Sequence, residues 1–154
     1  MILSINLSDY SISNIHLCES ISNTVITNGN FTRILYSQEH FTMNGIHLNI
    51  IFDKCNIECM NNKYRCIIDN KKNISVINKI IEIENNILNL VNNTSKNKVY
   101  NLTQQLNTGF IRLFIEKDIL NTKGNNCFIL KIAGIWEDAE NYGITYKFIL
   151  TNHL

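Results

Sequence analysis

A chain of 154 residues, 45% hydrophobic and 18% charged, has the size of one domain and enough apolar side chains to build a core. Its formal charge of +1 excludes a strong bulk field toward nucleic acid or an anionic membrane, so any such binding must come from a local cluster. No run approaches about eighteen apolar residues, which argues against a membrane-spanning helix, and Met1-Ile-Leu-Ser lacks the basic start of a signal peptide.

Asn and Ile each exceed a sixth of the chain, Lys far outnumbers Arg, and proline is absent. AT-rich codons produce this bias, so an AT-rich source is expected, such as certain viruses or parasites. Five cysteines is an odd number and no export signal is visible. They are expected as reduced thiols in a soluble intracellular protein that is not secreted, in the host nucleus or cytoplasm if the source is viral. The sequons at Asn30, Asn73, Asn93 and Asn101 then read as chance in an Asn-rich chain.

In chain order, residues 1–30 are rich in Ser, Asn and Ile with weak alternation. They read as a short strand at Ile2, Ile5 and Leu7 or as a partly ordered arm, closed by the turn signal Asn28-Gly29-Asn30. Residues 31–154 read as one domain. Phe31–Ser37 alternates like a strand, with Gln38–Phe41 as its turn or continuation, and Asn44-Gly45 offers a hairpin turn into Ile46–Phe52. Cys55–Met60, Asn61-Asn62 and Lys63–Ile68 add a strand–turn–strand pair, so the sequence predicts a four-stranded meander.

The period then changes. Ile77, Ile80, Ile81, Glu84, Ile87, Leu88 and Val91 fall at helical spacing against a polar face of Asn78, Lys79, Glu82, Asn85 and Asn89, with Asn73 as N-cap. This predicts a helix near 74–91; a second hairpin about Asn85-Asn86 is the competing reading. Lys98–Leu106 is ambiguous, and Phe110–Glu116 reads as a strand. The most clearly written element comes last: Cys127–Glu137 and Ile144–Leu150 are two arms rich in β-branched and aromatic residues about a polar turn ending in Gly143, a β-hairpin. The order fits a mainly β fold with one inserted α-helix, an OB-like antiparallel barrel or a small sandwich.

No Ser-centred elbow, phosphate-cradling loop or dinucleotide fingerprint is present. Cys18, Cys127 and four histidines offer Cys–His pairs, but nothing marks any of them as activated. Cys55, Cys59 and Cys66, with His40 or His47 upstream, lack the tight paired spacing of zinc sites and read better as small hydrophobes in strands. The acidic turn Glu137-Asp138-Glu140 reads as a solvated tip. No enzymatic activity, catalytic residue, metal, cofactor or small-molecule substrate is expected.

The strands do interleave rings with cations. Single-stranded nucleic acid is held by aromatic faces that stack bases and by Lys and Arg that meet phosphates, each stacked base contributing about 1–3 kcal/mol. Alternation puts Phe31 and Arg33 on one face, and likewise Phe110, Arg112 and Phe114, while Tyr64 opposes Lys63 and Arg65. Because a small barrel fills its interior with rings, Phe110, Phe114, Phe128 and Phe148 are assigned to the core. Tyr36, Tyr64, Tyr146 and Trp136 carry polar handles and are the better surface candidates.

Gly134-Ile-Trp-Glu137, Tyr142-Gly-Ile-Thr-Tyr-Lys-Phe148, Ile34-Leu-Tyr-Ser37 and Phe41-Thr-Met-Asn-Gly45 resemble small single-stranded DNA-binding proteins of large insect DNA viruses and related virus-like elements. The resemblance covers most of residues 31–150 and is strongest at the end. It implies an OB-type barrel that coats single-stranded DNA during viral replication or recombination without catalytic residues, and it marks Trp136, Tyr142, Tyr146 and Lys147.

Two readings follow. In the first, a groove lined by Arg33, Tyr36, Tyr64, Arg65, Arg112, Lys131, Trp136, Tyr146 and Lys147 binds single-stranded DNA, or RNA, without strong sequence preference and less tightly as salt rises. Self-association is compatible with it. In the second, the chain is a non-enzymatic viral structural or host-interaction protein that meets another protein through a sheet edge or apolar patch. Basic and aromatic side chains gathered on one surface favour the first; an open edge or flat apolar patch favours the second.

Overall fold

The computed structural model describes residues 3–25, 28–91, 95–115 and 126–151. Ile2, Asn93, Glu116 and the residues 117–125 that lead toward the last hairpin lie outside the described residues. In chain order the strands are β1 (Ile5–Asn6), β2 (Ile15–Leu17), β3 (Ile21–Asn23), β4 (Gly29–Gln38), β5 (Phe41–Asn44), β6 (Ile46–Ile51), β7 (Cys55–Met60), β8 (Lys63–Ile68), β9 (Asn97–Val99), β10 (Phe110–Phe114), β11 (Cys127–Glu137) and β12 (Asn141–Leu150). The helices are α1 (Ile74–Asn89) and α2 (Asn101–Asn107).

The final hairpin, β11–β12, is the spine. The main path of the sheet runs β1-β6-β11-β12-β10-β8-β7, so it ends on β1 and β7 and stays open among the described residues. The class is mainly β with an inserted helix, as the sequence predicts. Most neighbours are antiparallel, but β1–β6, β9–β12 and β10–β12 are parallel. One edge of β11 pairs with β12; the other is divided between β6, at residues 127–132, and β4, at 134–137. β4 is divided as well, pairing first with β11 and β3 and then with β5 and β2.

β4, β5–β6 and β11 therefore meet at a corner. Gly45 turns the chain there with a φ of 103°, and a Cβ on it would stand 2.8 Å from the Ile132 carbonyl oxygen. Glycine meets both demands. Beside it, the β11–β12 register slips between Ile132 and Gly134, a β-bulge at Ala133.

The predicted meander does not form. β4 turns at Glu39 and His40 into β5, with Gln38 opposite Phe41, so Asn44-Gly45 is the corner rather than a hairpin turn. β6 and β7 lie apart, with β11, β12, β10 and β8 between them, because β6 finds its partner in β11. The β7–β8 hairpin does form. Asn61 and Asn62 both take positive φ, 51° and 59°, as a two-residue turn with the strands' own twist requires. Within residues 1–30, β1 joins β6, while β2 and β3 join β4.

α1 starts and ends close to where its spacing puts it, burying Ile77, Ile80, Ile83, Glu84, Ile87 and Leu88. Asn73 precedes it but makes no cap with its side chain. Its amide instead clamps the backbone of Asp53, accepting the N–H at 2.7 Å and donating to the carbonyl at 2.8 Å, which ties the β6–β7 connection to the start of the helix. The ambiguous stretch holds β9 and a second helix, α2, so the described residues hold two α-helices where one was expected. Glu84 explains why α2 starts where it does. This fully buried carboxylate accepts the N–H groups of Leu102 and Thr103 at 3.0 and 2.8 Å and the Thr103 hydroxyl at 2.6 Å. Helix N-terminal donors are what a buried anion needs.

Candidate nucleic-acid interface

Alternation decides which side chains leave the core. Ile46, Leu48 and Ile50 on β6, Phe128, Leu130 and Ile132 on β11, Ile144, Phe148 and Leu150 on β12, Ile111 and Leu113 on β10, and Cys66 and Ile68 on β8 point inward and are buried. Apart from Tyr146, which packs against the core, the residues between them lie on the opposite side of the sheet, where Ile129 and Ile149 are themselves buried, and the pairing registers line them up in rows.

One row is cationic. Glu58 of β7 lies opposite Arg65 of β8, Arg65 opposite Arg112 of β10, Lys147 of β12 opposite Lys131 of β11, and Lys131 opposite His47 of β6. Arg112 comes level with Lys147, one residue before the Leu113–Phe148 pair of the parallel ladder. Like charges directly opposite one another destabilise a sheet, and here two such pairs, Arg65–Arg112 and Lys131–Lys147, stand in one line. Among the described residues of the row, Arg65 is the one cation bonded to an acid, through Nε at 3.1 Å and Nη2 at 3.0 Å to Glu58 Oε2. His47, at the far end, donates from Nδ1 to the Leu3 carbonyl at 2.9 Å.

Rings flank this row. Phe110 and Phe114 stand on either side of Arg112 on β10, the Arg65 guanidinium lying 5.6 Å from the centre of the Phe110 ring and the Lys147 ammonium 5.6 Å from that of Phe114. Phe114 is 57% exposed.

The bulge at Ala133 shifts the phase of β11 by one residue, so that beyond it Gly134 and Trp136 face outward and Ile135 is buried. A second row begins there: Ile21 of β3, Phe31 of β4, Trp136 of β11 and Gly143 of β12. Two glycines make it flat. A Cβ at Gly143 would lie 2.9 Å from Trp136 Cζ2, and one at Gly134 would lie 2.5 Å from Phe31 Cζ, so each ring rests on the bare backbone of a neighbouring strand. Arg33, exposed and opposite Gly134, stands between the two rows.

Six of the predicted site residues meet on this face: Arg33, Arg65, Arg112, Lys131, Trp136 and Lys147. Four do not. Tyr36 and Tyr142 are 0% and 1% exposed and belong to the core, which corrects the expectation that they are available for stacking. Tyr36 shares its strand phase with Ile34, and its hydroxyl accepts from the Ser11 N–H at 3.0 Å and Asn14 Nδ2 at 3.2 Å, stapling the N-terminal turns. Tyr142 shares its phase with Ile144. Tyr64 and Tyr146 are half-buried and pack against the core. The Tyr146 hydroxyl donates to Gln105 Oε1 at 2.8 Å, and burial together with the Glu84 charge pushes the phenol up to about 12.

Phe128 and Phe148 fill the core as expected, whereas Phe110 and Phe114 face outward because they share a phase with Arg112. Phe31, Phe110, Phe114 and His47 thus join the face. The alternation of rings with cations was the available signal for the phenylalanines; for His47 it is the register with Lys131, which spacing does not reveal. Among the described residues no three His, Cys, Asp or Glu side chains gather as a metal site would require. Cys55 and Cys66 are neighbouring thiols of the β7–β8 hairpin, where their mutual hydrogen bond and burial push the Cys66 thiol up.

Compared with models of protein families, with curated proteins and with solved structures, the chain shows no match. No helix among the described residues is long and apolar enough to cross a membrane.

Proposed function

We propose that the protein binds single-stranded DNA without strong sequence preference, the sugar–phosphate chain crossing the β-strands on the outward face. The observation that carries this reading is the run of Arg112, Lys147 and Lys131, side by side on adjacent strands with no acid bonded to them among the described residues and with rings on its flank. Neighbouring strands are about 4.8 Å apart, so these charges repel one another in the free protein, and a polyanion laid across them relieves the repulsion. Contacts to phosphates fix position without reading sequence, and the flanking rings offer π-faces that any base can use. With a near-neutral total charge, the attraction for a polyanion has to come from this local cluster.

The bias toward Asn, Ile and Lys, together with the likeness of the Trp136 hairpin to viral single-stranded DNA-binding proteins, supports placing this activity in the replication or recombination of a viral genome. Trp136 and Lys147, two of the positions which that likeness marks, lie on the face. Anisotropy of a labelled oligo-dT measured at two salt concentrations tests the reading. Binding that weakens as salt rises is expected, and no binding at low salt would overturn it. One observation favours a protein partner instead: among the described residues β7 is an open edge that carries the exposed Cys59 and Met60, a place for a strand from another protein to add. Pull-downs would then take precedence.

A further inference from the structure

We infer that the cleft above the Trp136–Phe31 platform seats one unpaired nucleobase of the strand whose phosphates lie on the cationic row. This rests on the proposed function and adds to it where the base goes and why the strand must be single. The cleft, about 530 Å³, lies between the platform and the segment from Ile21 to Val25, whose last residue is 89% exposed. Its lining among the described residues combines the two rings, Ile21 and Val25 with the short polar side chains of Ser22, Asn23, Thr24 and Thr145, and includes no charged group. Such a lining suits an uncharged planar ring and not a phosphate.

The platform is built to be flat. Gly134 and Gly143 remove the two Cβ atoms that would otherwise lift Phe31 and Trp136 off the sheet, so both rings lie along it and turn a face outward. A base seated there stacks on the indole, while the hydroxyl and amide groups of the 21–25 segment and Thr145 meet its edge without a fixed donor–acceptor code. Arg33, two residues or about 7 Å along β4 from Phe31, is placed to take the intervening phosphate. A base inside a duplex is paired and stacked on both faces and cannot enter without being extracted. The cleft therefore discriminates by strandedness rather than by sequence.

Trp136 is the only tryptophan, so its emission reports on the cleft directly. The test compares oligo-dT with an abasic deoxyribose-phosphate oligomer of equal length, using wild type, Trp136→Ala and Val25→Asp. Oligo-dT is expected to quench Trp136 and to bind about 5- to 150-fold more tightly than the abasic oligomer, the span that one stacked base contributes. Trp136→Ala should narrow that difference by the part the indole contributes, leaving whatever Phe110 and Phe114 add. Val25→Asp, at a rim position whose side chain is exposed, should reduce both the quench and the difference. Equal affinity for the two oligomers with unchanged emission would overturn the base seat and leave the cationic row standing. Failure of either oligomer to bind at low salt would overturn the underlying reading. Quenching that develops on concentrating the protein alone would assign the cleft to a second copy of the chain and also overturn the inference.

Discussion

Lys131→Gln should weaken nucleic-acid binding and stabilise the fold at once. Four cations of the face, Arg33, Arg112, Lys131 and Lys147, bond no acid among the described residues. Each phosphate contact on a single strand contributes about −0.7 to the slope of log affinity against log salt, so four predict a slope of about −2.8 and the variant about −2.1. At roughly 0.1 M salt the same contact is worth about a fivefold change in affinity, near 1 kcal/mol. In the free protein the substitution removes the repulsion between Lys131 and Lys147, directly opposite on β11 and β12, which should raise stability by a few tenths of a kcal/mol. Anisotropy titrations over a tenfold range of salt, paired with urea unfolding followed by Trp136 emission, read both quantities. Lys79→Gln, on the exposed face of α1, is the control and should leave the slope alone. An unchanged slope for Lys131→Gln, or a loss of stability, would refute the claim that the row is held against its own repulsion for the sake of an anion.

Glu84→Ala should cost about 3 kcal/mol or more, since two backbone N–H groups and a hydroxyl lose their acceptor in the interior; hydrogen exchange at Leu102 and Thr103 should accelerate before that of the β11–β12 ladder. Gly45→Ala forces a positive φ on a residue with a Cβ and presses that atom against the Ile132 carbonyl, so a loss of about 1–3 kcal/mol is expected in the urea midpoint. Asp138 accepts the N–H groups of Glu140 and Asn141 at 2.8 and 2.7 Å, which holds its carboxyl below the usual range. A depressed folded-state value means that the turn is supported above about pH 3.9 and loses that support as pH falls through the lower folded value. The amide shifts of Glu140 and Asn141 should therefore titrate together with a midpoint under 3.9, and a midpoint at or above it would refute the assignment.

Local pattern made a good part of this molecule legible. The β11–β12 hairpin, the β7–β8 pair, α1 and the shared faces of Phe31 with Arg33 and of Arg112 with its two phenylalanines all follow from period and turn chemistry. The burial of Tyr36 and Tyr142 was legible too, because each sits two residues from a core isoleucine, Ile34 and Ile144; weighing their hydroxyls above their phase misplaced them. The partner of β6 was not legible. Short connections suggested that it would pair with the next strand, yet its hydrophobic set fits against β11, and nothing local encodes a register across that separation. The bulge at Ala133 is equally silent in the sequence, although it decides that Trp136 faces out and Ile135 faces in. α2 escaped because its start is set by Glu84, a residue of another helix.

The division of one edge of β11 between β6 and β4 also orders events in time. β6 is complete at residue 51, but its neighbour spans 127–137. Hairpins β4–β5 and β7–β8 and helix α1 close over short distances, whereas joining them into one sheet means closing loops that span half the chain, which is slow. While the chain is being made, the apolar side chains of Ile46, Leu48 and Ile50 therefore emerge long before the strand that covers them. Until β11 arrives, β6 is the part of the nascent chain most exposed to wrong pairing, and a chaperone that protects this protein would find its best foothold there.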